Sequence, residues 1–325
     1  MATIKDVAKR AGVSVGSVSN FINNMEVKPK TKFLIEEAIK ELKYEPNIYA
    51  RGFKLNKTNT IALIIPSIWH PFFSEMAYNI EKSLRKYEMK MILCNTEDNY
   101  ENEVQYITMA KQNKVDGIIA ITYSDIDKYI SSNIPIISID RYFSDNITYV
   151  SSDNFNGGKI AAYELVKSGC ENLAFIGSGS KIDNATRKRK QGFISYCEEN
   201  NISYKLCDEL GKTKNFSSIL NDFLSENFKC IKKIDGIFTI TDDYAFQVIE
   251  KLEKLNIEVP NDVQVIGYDG SRSCAKDNIK ISTIRQPVDM IAKEAVEYLI
   301  KLIDKKEIQK EIILPVKFVK GYTTK

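Results

Sequence analysis

One histidine and six cysteines in 325 residues leave little material for metal or thiol chemistry. Cys94, Cys170, Cys197, Cys207, Cys230 and Cys274 are scattered without a Cys-x-x-Cys pair, and His70 stands alone. Neither a metal nor a bound cofactor is expected. A chain of this length needs no disulfide scaffold, so the thiols read as reduced packing residues. No Gly-x-Ser-x-Gly elbow sits at a strand-to-helix turn to pair with His70 in a hydrolase triad, and no Gly-x-Gly-x-x-Gly fingerprint marks a dinucleotide enzyme. Gly177-Ser178-Gly179-Ser180 follows a strand-like run but has the spacing of neither nucleotide fingerprint, and it reads as a cleft loop. No apolar run approaches the roughly 18 residues that span a bilayer. The opening Met-Ala-Thr-Ile-Lys-Asp has none of the basic start, apolar run or small-residue cleavage site of a signal peptide. The expectation is a cytoplasmic protein with no membrane partner.

What is present is the composition of a folded globular protein, 43% hydrophobic and 27% charged. Its length allows a small head and a large core. The formal net charge is only +3, but residues 1–58 carry 11 Lys or Arg against 6 Asp or Glu, and the remainder carries 35 against 37. A basic head on a near-neutral body suits a phosphate backbone, where cations release condensed counterions. A solvated, lysine-rich helical surface would give the same count, so charge alone leaves both readings open.

The pattern within the head narrows the choice. Thr3 can cap a short helix with Ile4, Val7, Ala8 and Ala11 on one face, and Gly12 stops it where a tight turn requires positive φ. Ser14 caps a second helix with Val15, Val18, Phe21 and Ile22, and Thr31 is expected to cap a third containing Phe33, Leu34, Ala38, Ile39 and Leu42. Three short helices sharing one core make a helix-turn-helix unit. Its second helix enters the major groove, where the early positions Val15, Gly16, Ser17 and Asn20 face the bases.

The segment Met-Ala-Thr-Ile-Lys-Asp-Val-Ala-Lys-Arg-Ala-Gly-Val-Ser, followed by Ser17-Val18-Ser19 and Ile22-Asn23, resembles the head of the LacI/GalR (lactose repressor) family. The likeness continues through Leu42-Lys-Tyr-Glu-Pro-Asn into Ala50, Arg51 and Lys54. It implies a head over residues 1–46 and a hinge over 47–58, with Asn47 to Lys54 ordering as a helix on operator DNA and pairing with its twin in the minor groove. Where the family usually places a leucine wedge this chain has Phe53, which is expected to take that role by unstacking a base step. Gly16 departs from the family at a position that usually reads a base. That leaves Val15 to meet a thymine methyl and Asn20 to bond a base edge, with Ser14, Ser17, Ser19 and Asn23 placed for phosphates. Thr3, Tyr44, Asn47, Ala50 and Lys54 complete the expected DNA-facing set. For each hydroxyl, a plain helix cap or a solvated serine is an equal alternative.

From Ile61 onward, apolar runs alternate with amphipathic stretches: Ile61 to Ile65, Met91 to Cys94, Gly117 to Ile121, Ile134 to Ile139, Leu173 to Ile176, Gly236 to Ile240 and Val263 to Ile266. This alternation predicts parallel sheets with helices on both faces, and ligands then sit beyond the carboxyl ends of the strands. His70-Pro-Phe-Phe73, Ile139-Asp-Arg141, Arg189-x-x-Gly-Phe193 and Val265-Ile-Gly-Tyr-Asp-Gly270 resemble motifs of the same family's periplasmic-binding-protein-like core. The resemblance implies an all-α helix-turn-helix head on an α/β two-lobed core. Lobe one would span about 59–155 and 287–316, and lobe two about 156–284 and 317–325. By position it assigns Asp140, Arg189 and Asp269 to an effector, with Phe72 and Phe73 as packing aromatics, Thr241 and Asp242 as a lining pair, and Arg141 as evenly balanced between ligand contact and structural ion. Carboxylates and a planar guanidinium under an aromatic face suit a polyol. Asp140-Arg141, Ser151-Ser152-Asp153-Asn154 and Gly267 to Gly270 look like the sucrose- and ribose-type repressors, so a sugar is the expected effector. A sugar phosphate or a purine is the alternative. The basic run Lys188-Arg189-Lys190 reads as a solvated helix face around one functional arginine.

The expected protein is thus a repressor rather than an enzyme, with double-stranded operator DNA, a small effector and a second copy of the chain as partners. An α/β sugar-processing enzyme would share the architecture but lacks its chemistry here. A free solute-binding protein would have a leader and no DNA-binding head. Twofold symmetry predicts a pseudo-palindromic operator. No long leucine-heptad tail follows Val316-Lys-Phe-Val319, so a dimer is expected in preference to a tail-assembled tetramer. Induction and corepression both satisfy a shared binding equilibrium, with induction favoured for a sugar.

Overall fold

The computed structural model describes residues 2–23, 25–45, 57–130, 134–142, 147–179, 184–210, 216–228, 233–272 and 278–325. The chain divides into two compact units, Met1–Thr58 and Asn59–Lys325.

In the first unit, α1 (Ile4–Ala11) is opened by a reciprocal cap: the Asp6 amide donates to the Thr3 hydroxyl, and the Thr3 amide donates to the Asp6 carboxylate at 2.8 Å. Gly12, at φ 64°, closes it, with the Val13 amide reaching back to the Ala8 carbonyl. Ser14 caps α2 (Val15–Ile22) by accepting from the Ser17 amide at 3.0 Å. The letters Gly-x-Ser-x-Gly do occur at Gly12–Gly16, where they form this turn between two helices, not a strand-to-helix elbow. The third helix departs from expectation. α3 runs Pro29–Leu42 and starts on a proline at its first position after Lys28, so Thr31 lies inside the helix and caps nothing. The earlier start fixes the inward face as Ile35, Ala38, Ile39 and Leu42, which turns Phe33 and Leu34 outward. The small core is Val7, Ala8, Ala11, Val18, Ile35 and Ala38.

The second unit contains two six-stranded sheets. The first lobe is formed by β1 (Thr60–Ile65), α4 (Pro71–Arg85), β2 (Lys90–Asn95), α5 (Tyr100–Gln112), β3 (Gly117–Ala120), α6 (Asp127–Ile130), β4 (Ile136–Ile139) and β5 (Thr148–Ser152). The second is formed by α7 (Asn154–Lys167), β6 (Asn172–Gly179), α8 (Arg187–Glu199), β7 (Ser203–Leu210), α9 (Phe216–Phe228), β8 (Gly236–Thr239), α10 (Asp242–Lys254), β9 (Gln264–Asp269) and β10 (Thr283–Arg285). The chain then returns to the first lobe with α11 (Val288–Ile303) and β11 (Glu311–Leu314), and to the second with β12 (Lys317–Val319). Strand orders are β11-β5-β4-β3-β1-β2 and β12-β10-β9-β8-β6-β7, parallel throughout except that β12 runs antiparallel to β10. Three crossings therefore join the lobes, at 152–154, 285–288 and 314–317.

Both sheets are covered on both faces, which is why their strands are continuous apolar runs. Along β1, Ile61, Leu63 and Ile65 face α4 and α11, while Ala62 and Ile64 face α5. In the second lobe, α7 and α8 cover one face, and α9 and α10 the other. Each fully buried Ile or Leu contributes roughly 1.5–3 kcal/mol of transfer free energy. α7 and α8 meet backbone to backbone: a Cβ added at Gly158 would overlap the Arg189 carbonyl, and one at Gly192 would overlap the Phe155 carbonyl. Gly177 and Gly179, expected in a loop, continue β6 in register with Asp208 and Leu210 of β7. A Cβ at Gly177 would lie 2.7 Å from Ile240, so that glycine serves strand packing.

Candidate functional site

On the head, Val15, Gly16 and Asn20 are exposed along one side of α2, as a groove-reading surface needs. The hydroxyls are less free. Ser14 is committed to the cap and also bonds the Ser17 hydroxyl at 3.0 Å, and the Asn23 amide group donates to the Ser19 carbonyl at 2.7 Å. Thr3 is exposed and Tyr44 half-buried beyond α3. Asn47, Ala50, Phe53 and Lys54 lie outside the described residues.

In the core, three charged residues from separate strand and helix ends enter one buried network. Asp140 follows β4, Arg189 lies in the first turn of α8 and Asp269 ends β9; each is 3% exposed or less. The Arg189 guanidinium donates through Nε to Asn154 Oδ1 at 2.7 Å, and through Nη1 to the Ile240 carbonyl at 2.7 Å and to Asp269 at 3.4 Å. Its Cζ lies over the Tyr268 ring, 3.7 Å from the centroid. The Asn154 amide group donates to the Ser151 hydroxyl, which donates to Asp140 at 2.7 Å. On the other side, Gln286 Nε2 donates to Asp269 at 2.7 Å and the Ser152 hydroxyl donates to Gln286 Oε1. Ser152, Asn154 and Gln286 all stand at lobe crossings, so the network is strung across the points where the chain changes lobe. The close approach of α7 and α8 at Gly158 and Gly192 brings Arg189 to Asn154.

Burial pushes the carboxyls of Asp140 and Asp269 above the usual range, against the pull of Arg189. Both residues also hold left-handed backbone, φ 59° and 108°; among the described non-glycine residues with positive φ, these two alone are buried. Strain of this kind persists where surroundings enforce it and is concentrated at ligand sites.

The other expected residues are placed differently. Arg141 is buried but donates to the Thr122 hydroxyl at 3.2 Å and to the Ser124 carbonyl, with the buried Glu103 carboxyl pushed up by desolvation close by. It sits in a polar knot of the first lobe rather than in the Arg189 cluster. Asp242, at the start of α10, lies behind Asp269: it accepts from the Thr283 hydroxyl at 2.7 Å and the Ser271 amide at 2.6 Å. Burial, then the charge of Asp269, pushes its carboxyl up to about 7. Thr241 precedes α10 without capping it by its side chain. Phe72 and Phe73 pack edge to face at 5.3 Å in the first-lobe core, with the His70 ring 5.1 Å from Phe73.

Three contributors escaped the sequence reading. Gln286 falls between the expected lobe spans and in none of the motifs. Tyr123, after β3, feels the charges of Asp140, Arg189 and Asp269. His70 spans the lobes: its Nδ1 accepts from the Phe72 amide and its Nε2 lies 3.4 Å from Asp243 of α10. Burial lowers the His70 pKa, but the Asp243 bond and the nearby carboxylates outweigh it, and the net direction is upward. The described cysteines are buried, and burial pushes the Cys170 and Cys197 thiols up to about 12, far from the range of a reactive thiolate. Among the described residues, no helix is long and apolar enough to cross a membrane.

A family profile described as bacterial regulatory proteins of the lacI family matches residues 3–47, and one described as a periplasmic binding protein domain matches residues 61–307. The sucrose operon repressor of Streptococcus mutans is 37% identical over 323 residues, covering 99% of each chain. The ribose operon repressor of Bacillus subtilis is 31% identical over 329 residues, covering 100% of this chain and 99% of its own. Among solved structures, the periplasmic binding protein/LacI transcriptional regulator of Alkaliphilus metalliredigens, complexed with D-xylulofuranose, is 30% identical over 82% of this chain and 99% of its own, with a TM-score of 0.72. Head and core are matched alike, the relatives named for a function are operon repressors and not enzymes, and the protein belongs to the lacI family of bacterial regulatory proteins, joining its DNA-binding head to a two-lobed periplasmic-binding-protein-like core.

Proposed function

We propose that this is a cytoplasmic, homodimeric repressor whose affinity for a pseudo-palindromic operator is set by a sugar held between the lobes. The observation that carries the sugar is the Asp140–Ser151–Asn154–Arg189–Asp269–Gln286 network. It offers carboxyl oxygens and a planar donor at adjacent positions, with Tyr268 and Tyr123 as aromatic neighbours, an arrangement suited to neighbouring ring hydroxyls. A phosphate ester has less support, because the guanidinium of Arg141 is directed to Thr122 and Ser124. Arg189 and Asp269 bond the sugar, Asp140 takes a further hydroxyl, and Asp242 supports Asp269 from behind. On the DNA side, Val15 and Asn20 read bases, Ser17 and Asn23 position phosphates, and Phe53 wedges the minor groove at a hinge formed by Asn47 to Lys54. Closure of the lobes on the sugar changes how the dimer presents its two heads, and effector and operator affinities shift reciprocally.

The test is a thermal-unfolding panel of sucrose, ribose and D-xylulose, with their phosphates and free purines, run beside operator binding by fluorescence anisotropy. One sugar raises Tm and weakens operator binding, and Asp269→Ala abolishes both effects. A Tm rise confined to a purine or to phosphorylated compounds sinks the sugar assignment and leaves the DNA-binding role intact.

A further inference from the structure

Asp269 needs restraint. Its φ of 108° is costly for a residue with a side chain, and Gly270 beside it stands at φ 71°. Arg285 supplies part of that restraint: Nη1 donates to the Gly270 carbonyl at 2.7 Å and to the Asp269 carbonyl at 3.3 Å, and its stem packs so tightly on Gly270 that any Cβ there would overlap it. The other arm of the guanidinium leaves the lobe. Nη2 donates to Glu75 Oε1 at 2.5 Å, and Arg272 donates to the same oxygen at 2.8 Å. Glu75 belongs to α4 of the first lobe; Arg285 and Arg272 belong to the second. A rim ion pair is ordinarily worth little. This one differs because Arg285 and Glu75 are 15% and 20% exposed, and because the remaining Arg285 donors grip the two carbonyls around the strained residue. Ser152, Asn154, Gln286 and Arg285 itself stand at covalent crossings. Glu75, within α4, is the partner in this contact that no crossing tethers.

We propose that Glu75 is a positioning residue: from the first lobe, through Arg285, it holds the Asp269 backbone of the second, so that the effector carboxylate is fully set only in the closed core. This rests on the reading of Asp269 as an effector group. It gives closure and affinity a common cause without a contact between Glu75 and the ligand.

The test uses the full chain carrying Glu75→Gln, with Arg285→Lys as a second variant that keeps a charge for Glu75 but loses the fork. Calorimetric titration with sucrose, ribose and D-xylulose is paired with hydrogen exchange at the Gly270 and Ser271 amides, which donate to Thr283 and Asp242. The expected result is about tenfold weaker sugar binding in both variants, faster exchange at both amides even without sugar, and a wild-type affinity that falls with salt more steeply than that of Glu75→Gln. Weaker binding with unchanged exchange would mean direct ligand contact and overturn the proposal; faster exchange with unchanged affinity would overturn it as well. If wild type binds none of the three sugars, the wider ligand panel decides the reading of Asp269 separately, and exchange alone decides the Glu75–Arg285 link: unchanged protection rejects it.

Discussion

The head and the cleft solve recognition in opposite ways. On α2 the positions proposed to face the groove, Val15, Gly16 and Asn20, are exposed and have no part in the small helical core beneath them. In the cleft, Asp140, Arg189 and Asp269 are buried, strained or cross-bonded, and the groups proposed for an effector also hold the lobe together. Recognition and folding are therefore separable in the head and inseparable in the cleft. Mutations that move one property without the other test that contrast.

The largest effect belongs to Arg189→Ala. It takes the donor from the Asn154 oxygen and the Ile240 carbonyl and leaves Asp269 buried with the Gln286 amide but no cation, and breaking a buried pair from one side costs about 3–5 kcal/mol. Calorimetric unfolding of the full chain should show the core transition fall while the head transition stays in place. Effector binding should vanish in the same variant. A core of wild-type stability would show that the cleft, like the head, separates recognition from folding.

Gly192→Ala is expected next, at about 3 kcal/mol or less of core destabilisation. It touches no polar group of the site, yet the new methyl would overlap the Phe155 carbonyl and force α7 and α8 apart. Because that contact brings Arg189 to Asn154, effector affinity should fall along with Tm. Lost stability at unchanged affinity would mean that the site tolerates movement of α8.

How much of this was legible in sequence follows the same division. The head's caps at Thr3 and Ser14 and its stop at Gly12 are local features set by neighbouring residues, and they form as read. Thr31 misled because a proline two residues earlier was the better helix start. In the core, seven apolar runs became β1, β2, β3, β4, β6, β8 and β9. The strands that escaped lack that signal: β5 buries Ser151 and Ser152, β7 and the four-residue β11 are edge strands, and β10 and β12 have three residues each. The charged cleft residues were found through motif likeness. Their strained φ values, the turning of Arg141 toward Thr122, and the parts of Gln286 and Glu75 depend on which strand ends the topology brings together, and no local pattern carries that.

A smaller effect is the pH dependence set by Asp242. Its carboxyl titrates at about 7 in the fold against 3.8 ordinarily, so the native state holds a proton that the unfolded chain releases. Stability should then fall as pH rises between about 4 and 7. Asp242→Asn, whose oxygen can keep the Ser271 amide, lacks that titration. The Tm drop from about pH 5 to about pH 8 should be smaller in the variant than in wild type, by a few degrees. Equal slopes would place the titration elsewhere in the cleft, with the raised carboxyls of Asp140 and Asp269 as the next groups to replace.

The smallest effect sharpens the contrast from the other side. Gly16 lies in the first turn of α2, and a Cβ there meets only the Ser14 hydroxyl at an ordinary 3.5 Å. Gly16→Ala should therefore stabilise the head by roughly 0.5–1 kcal/mol, the entropic penalty of glycine in a helix. The core transition should not move. Operator affinity measured by anisotropy then reports the groove alone: if it is unchanged, the DNA leaves room at this position and a longer side chain could be added to read a base. If affinity falls while the head gains stability, the duplex approaches the backbone at Gly16, and the missing side chain is itself part of the recognition surface. Either result separates stability from recognition at one exposed residue, a separation that Arg189 cannot give.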